Sequence, residues 1–249
     1  MEQKKNSWVS ALIIGVCVVI SCVALACGLS NFRSGSQHII SATGSASVDF
    51  DADLIIWRGS FSATDYSSKD AYATLKSNAT EVKNYLVGNG VSEEEIVFNS
   101  VDIRRTYREI YDDEGKYIGS EPEGYELTQS VVVTSTNMDN VEKISRDISS
   151  LLEKGVEFTS DTPEYYYSDL DALKLDLIEK ATQNAKERVD IMARNSGAKI
   201  GKLKNSNLGV FQITAQNSGT STYSYDGAFD TASRHKTATI TVHLDYDLK

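Results

Sequence analysis

The side chains of this chain whose types and spacing could do chemistry are three acidic clusters, three histidines and a set of tyrosines. Glycoside hydrolysis needs two carboxylates facing each other across a cleft, and calcium needs six to eight converging oxygens. Asp49, Asp51 and Asp53 form one acidic group, Glu93, Glu94 and Glu95 a second, and Asp112, Asp113 and Glu114 a third. Each falls where a turn or a helix end is expected, so the reading is solvated turn charge. Weak calcium binding at Asp49, Asp51 and Asp53 is the alternative, although the glycine and the distal glutamate of a calcium loop are missing. His38, His235 and His243 are the only histidines. The last two are eight residues apart, about 26 Å along a strand at some 3.3 Å per residue, too far to share a metal locally. Tyr165, Tyr166 and Tyr167, with Tyr223 and Tyr225, could stack on sugars or form an interface, or line an ordinary half-buried strand and loop. No nucleophile elbow, P-loop or dinucleotide glycine pattern occurs. No catalytic residue, cofactor site or metal ligand is assigned.

The segment that would place such groups in the cell comes first. Trp8 to Leu29 is 22 residues without a charge, preceded by Lys4 and Lys5 and followed by Ser30 and Asn31. A helix of that length spans about 33 Å, enough for a hydrocarbon core of about 30 Å. Two lysines before it and one arginine after it favour a cytoplasmic N-terminus and an extracytoplasmic remainder. Residues 1–30 therefore read as a membrane anchor or signal segment, 31–37 as a polar linker and 38–249 as the exported domain, in a single-pass cell-membrane protein. Ala24-Leu25-Ala26 fits signal peptidase, so a cleaved, secreted form is the alternative, and Val19 to Cys22 loosely resembles a lipoprotein site. Cys17, Cys22 and Cys27 all lie in this block and no cysteine follows. That excludes disulfides, thiol catalysis and zinc–thiolate sites from the exported part. Residues 38–249 carry 22 basic and 34 acidic groups, a net charge of −12, which argues against nucleic acid as a partner.

Hydrophobic periodicity sets the expected elements. Strands are predicted at 38–48 and 54–64, paired as a hairpin through the turn 49–53. A helix follows with Ala71, Leu75, Ala79, Val82 and Leu86 on one face, started by a capping box of Ser67 and Asp70 and stopped at Gly88-Asn89-Gly90. Strands at 96–111 and 125–136 form a long hairpin around Asp112 to Gly115. A second helix carries Met138, Val141, Ile144, Ile148 and Leu151, then comes a short strand at 156–159. A longer helix over 169–195 presents Leu170, Leu173, Leu177, Ala181, Ala185, Val189 and Met192. Strands at 203–216 and 237–246 close the chain, with the intervening 217–233 expected to be mobile. The sum is an α+β fold, with amphipathic helices packed on mainly antiparallel β-sheet and an N-terminal transmembrane helix.

Ile40 to Val48 with its Gly44, Gly90-Val91 before Glu95-Ile96, Gly124-Tyr125 with Gln129, and Ala181, Ala185, Arg188, Ala193, Gly197 and Gly201 occur in that order. Together they resemble the SIMPL-domain family of YggE-like exported bacterial proteins, across residues 38–249. Ala52-Asp53 stands where the family has Pro-Asp. The resemblance implies an exported α+β domain, assembly into ring- or channel-like homo-oligomers and a link to envelope stress resistance, and it carries over no catalytic residue. The leading expectation is a non-catalytic, membrane-anchored binding or scaffold module of the envelope, with a protein or cell-wall ligand. The alternative is an envelope hydrolase or polysaccharide-processing enzyme whose carboxylates meet only in three dimensions.

Overall fold

Helix α1, Gln3–Arg33, is apolar on every face through its described side chains, residues 12 to 27, and all of these are exposed. The computed structural model describes residues 3–33, 39–218 and 227–249. Among the described residues no helix is long and apolar enough to cross a membrane. The chain divides into two units, one of residues 1–44, 182–207 and 242–249, the other of 45–181 and 208–241. Strands β1 (Ile39–Asp51) and β10 (His235–Leu248) and helix α4 (Leu170–Ser196) each run from one unit into the other.

The larger unit is built on β2 (Leu54–Asp65) and β5 (Tyr117–Ser135), antiparallel with Trp57 opposite Val133 and Ala63 opposite Leu127. Alternation along β2 sends Ile55, Trp57, Phe61 and Ala63 to one face, where they are buried. Helix α2 (Ser68–Gly88) covers that face with Ala71, Leu75, Val82 and Leu86, and α3 (Met138–Asp147) with Val141 and Ile144. A 3-10 turn, Ile148–Lys154, adds Ile148 and Leu151 and ends at Gly155, whose φ of 79° closes it in the left-handed conformation. The short strands β3 (Ile96–Phe98), β6 (Phe158–Ser160) and β7 (Glu164–Tyr166) complete the sheet, β3 on β5 and the other two on β2. Strand β4 (Asp102–Tyr111) pairs with the first half of β5 as a ribbon. This α+β architecture of antiparallel sheet and amphipathic helices is the one the periodicity predicts.

Several elements differ from expectation. Strands β1 and β2 belong to different sheets rather than to one hairpin, because β1 runs on through Asp49 and Asp51 to pair with β10. The predicted strand 96–111 breaks at Asn99 to Val101, where the Asn99 amide donates to the Ser130 carbonyl (2.9 Å) and its side chain to Ser130 Oγ (2.9 Å). The polar stretch around Pro122 is strand, opposite Tyr107 at a register shift. Ser67 makes no side-chain cap; its own amide donates to Asp65 Oδ1 (2.9 Å). The capping box forms instead at Ser92 and Glu95. The predicted strand 203–216 is two, β8 (Ile200–Leu208) and β9 (Gln212–Ala215), separated where Gly209 approaches Thr241 too closely for a side chain.

In the smaller unit β10 lies between β1 and β8. Ala42, Val242 and Leu244 of the strands and Ala185, Val189 and Ala193 of α4 are buried. Met192, expected on the buried face of α4, is 40% exposed, and Ala193 takes its place. At 100° per residue, Ala193 continues the 181–185–189 stripe at four-residue steps, which Met192 leaves.

Candidate functional site

The outer face of β1 and β10 is a ladder of polar side chains, because odd-numbered residues of both strands point to that side. In the larger unit, Asp49 accepts from Thr237 Oγ1 (2.6 Å) and Gln216 Nε2 (3.2 Å), and Thr239 donates to Ser47 (3.3 Å). Asp51 Oδ1 stands 2.5 Å from His235 Nδ1. In the smaller unit, Asp245 accepts from Ser41 Oγ (2.5 Å) and Asn205 Nδ2 (3.3 Å). His243 reaches Asp245 through Nε2 (3.1 Å) and Thr43 through Nδ1 (2.9 Å). Asp49 and Asp51 are thus exposed, as expected, but they are strand residues with fixed partners and not turn residues. Strand alternation spaces these two about 7 Å apart at some 3.3 Å per residue. Asp53 lies past the end of β1 and accepts from the amide (2.8 Å) and hydroxyl (2.5 Å) of Ser168. The three do not converge, and among the described residues no group of three His, Cys, Asp or Glu is placed to hold a metal.

The other clusters are held locally. Glu93 pairs with Lys83 (2.8 Å), Glu95 closes the Ser92 capping box, and Asp112 Oδ1 accepts the amides of Glu114 (3.0 Å) and Lys116 (2.8 Å) in the ribbon turn. His38, Tyr223 and Tyr225 lie outside the described residues. Tyr165 and Tyr166 are half-buried in β7. Tyr165 Oη donates to Glu142 (2.9 Å), and burial followed by that bond pushes its phenol up to about 12.

One buried charge went unforeseen. Lys236 shares the register of Ala238, Ile240, Val242 and Leu244 on the inward face of β10, and its side chain is 3% exposed. Its ammonium donates to the carbonyl of Asp230 (2.5 Å) and lies 3.5 Å from that residue's carboxylate. Asp230 in turn accepts the amides of Ala232 (3.1 Å) and Ser233 (3.2 Å) and donates its own amide to Ile213 (2.9 Å). Thr231 accepts from the Tyr165 amide (2.7 Å), and Arg234 pairs with Asp139 (2.5 Å). The end of the segment expected to be mobile, 227–233, is therefore tied to β9 and β7, and Arg234 just past it to α3. Residues 219–226 lie outside the described residues. A lysine in phase with an apolar stripe was the signal for this pair.

Among the described residues, every carboxylate whose acidity departs from the ordinary value departs downward. The Thr237 hydroxyl, then the Gln216 amide, lower Asp49; Ser41, then Asn205, lower Asp245; and Arg58 lowers Glu164. Burial alone would raise Asp230, but Ser233, Ala232 and Lys236 together bring it below the usual range. Such groups stay ionised, which suits hydrogen-bond acceptance and ion pairing rather than general-acid chemistry. A depressed carboxylate stabilises the fold above its unfolded pKa of about 3.9 and loses that contribution as pH falls through its folded value. Asp49→Asn is therefore expected to flatten the acid limb of stability below about pH 4, while near neutrality it lowers stability without changing its pH dependence. An unchanged acid limb, read by urea unfolding at pH 3, 4 and 7, would show that the Thr237 and Gln216 bonds do not bias Asp49.

No curated protein matches the chain. A family model described as SIMPL, "Protein of unknown function (DUF541)", matches residues 40–246, from the second residue of β1 almost to the end of β10. The two strands that carry the polar ladder are thus the first and last elements of the matched region, and the chain belongs to the SIMPL family.

Proposed function

We propose that the chain is a membrane-anchored, extracytoplasmic SIMPL protein acting as a non-catalytic, oligomeric binding or scaffold module of the cell envelope. The observation that carries the reading is α1. Its side chains from Leu12 to Leu25 are, apart from Ser21, apolar and exposed, a surface that a bilayer would cover. The sixteen described side chains, residues 12 to 27, fall short of a span by themselves, and in the sequence the apolar run extends from Trp8 to Leu29. The binding role is supported by the β4–β5 ribbon, where Ile103, Tyr107, Tyr111, Tyr117 and Ile118 are each more than half exposed. The four carboxylates that shift among the described residues, Asp49, Glu164, Asp230 and Asp245, all shift downward, which supports this role rather than that of a hydrolase acid held protonated.

Alkaline carbonate extraction of the full chain tests the anchor. The chain is expected to stay in the membrane pellet, and a variant carrying Val16→Arg and Ile20→Arg to leave it, since each central arginine opposes insertion by about 2.5 to 3.5 kcal/mol. Recovery of the unmodified chain in the supernatant at full mass would overturn the reading. Recovery of a species ending its leader at Ala26 would replace it with the secreted form. Native mass of the extracted protein decides the oligomer, a monomer being the contrary result.

A further inference from the structure

In the smaller unit, the start of β1 and the C-terminal half of α4 border an open groove of about 360 Å³, lined by Ser41, Ala42, Thr43, Arg188, Ile191 and Met192. Strand β1 pairs only with β10, so no further strand closes this side among the described residues. The turn of α4 that buries Val189 and Ala193 leaves Ile191 51% and Met192 40% exposed beside the groove. Arg188 stands among these apolar side chains. Its Nη1 donates to the Thr43 carbonyl (2.9 Å), and no carboxylate among the described residues is within ion-pair distance. A guanidinium has five N–H donors in a planar fork, so one bond to a carbonyl leaves both charge and donors unmatched.

Ser41 is the eighth residue after Arg33, the last residue of α1. Even fully extended, that stretch spans at most about 29 Å. If α1 is the anchor proposed above, the groove never moves farther than that from the outer end of the membrane helix. We infer that the groove binds one anionic phospholipid of the bilayer that holds α1, with the phosphate on Arg188 and the upper acyl chain over Ala42, Ile191 and Met192. Arginine matches phosphate bidentately, and the exposed aliphatic side chains supply the apolar contact that a free phosphate could not use. The net negative charge of the domain does not forbid this, because at physiological ionic strength charges beyond about 8 Å are largely screened. The inference rests on the anchoring reading only for the source of the lipid.

The test uses the full chain labelled with methyl-¹³C methionine in zwitterionic nanodiscs. The three methionines are Met1, Met138 and Met192. Met138 is buried in the other unit and serves as the internal control. Water-soluble dihexanoyl phosphatidylglycerol is expected to shift the Met192 methyl saturably and leave Met138 unmoved. Dihexanoyl phosphatidylcholine should bind about tenfold more weakly or worse, as should the glycerol lipid to Arg188→Gln, with Arg188→Lys recovering part of the loss. An unchanged Met138 signal shows that the larger unit of each variant is folded, and an unchanged urea-unfolding midpoint that the smaller unit is too. No saturable shift at Met192, an equal response to both lipids, or an unchanged response in Arg188→Gln would each overturn the assignment. A chain that fails to enter nanodiscs fails the anchor reading alone; the same titration in buffer then tests the groove, and a positive result there moves the source from the anchoring bilayer to another lipid.

Discussion

Asp230→Ala is expected to lower the unfolding free energy by about 3 to 5 kcal/mol, whereas Lys236→Met leaves it unchanged or raises it. The asymmetry follows from burial. The Lys236 ammonium is held away from water with Asp230 as its only nearby counter-charge among the described residues, and desolvation already pushes its pKa down. Removing Asp230 strands that charge, while methionine fills similar volume with nothing to desolvate. Asp230 itself is partly open to solvent and keeps its bonds to Ala232 and Ser233 in the methionine variant. Because the folded amine loses its proton more readily than the unfolded one at about 10.4, the unfolded state binds more protons just below that value. Stability from this group therefore rises with pH through that window, and the cost of Asp230→Ala should shrink as pH approaches 10. Urea unfolding at pH 7 and 9.5 measures both. A cost below about 1 kcal/mol for Asp230→Ala would mean that the ammonium finds other partners.

Gly59→Val is the second large effect, at about 3 kcal/mol or more, from overpacking. Gly59 lies between Trp57 and Phe61 on the inward face of β2, and the Phe158 ring from β6 lies over it, 5.8 Å from Trp57 and 6.3 Å from Phe61 between centroids. A Cβ at Gly59 would stand 2.3 Å from the Phe158 ring and 2.9 Å from the Thr159 carbonyl. The ring cannot swing aside without leaving the two aromatics that flank it, and the carbonyl belongs to the strand pairing with β2. Gly88→Val, at a position with open space around the Cβ, controls for the loss of glycine itself. Equal costs for the two substitutions would contradict the aromatic lid.

Local pattern carried far in this chain because its helices are amphipathic and its strands alternate. The stripes Ala71–Leu75–Val82–Leu86, Val141–Ile144–Ile148–Leu151 and Leu177–Ala181–Ala185–Val189 were all legible as buried faces, and all are buried. So was the stop at Gly88-Asn89-Gly90, where Gly90 takes the left-handed backbone that excludes most other residues. Ordered family features in the sequence likewise pointed to the family that the model match then gave.

What lay beyond the sequence was partnership between distant segments. Proximity in the chain made 38–64 look like a hairpin, but β1 pairs with β10, nearly two hundred residues away, and nothing local encodes that choice. The same pairing turned Asp49 and Asp51 from turn charge into ladder rungs facing Thr237 and His235. Lys236 could be seen to share a register with apolar residues, yet only the return of 227–233 onto β9 brings the carboxylate that makes its burial tolerable. Periodicity reports which side of an element avoids water, because that depends on the residue itself. Which element, charge or lipid meets that side depends on contacts whose loop-closure cost and geometry are settled only when the whole chain folds.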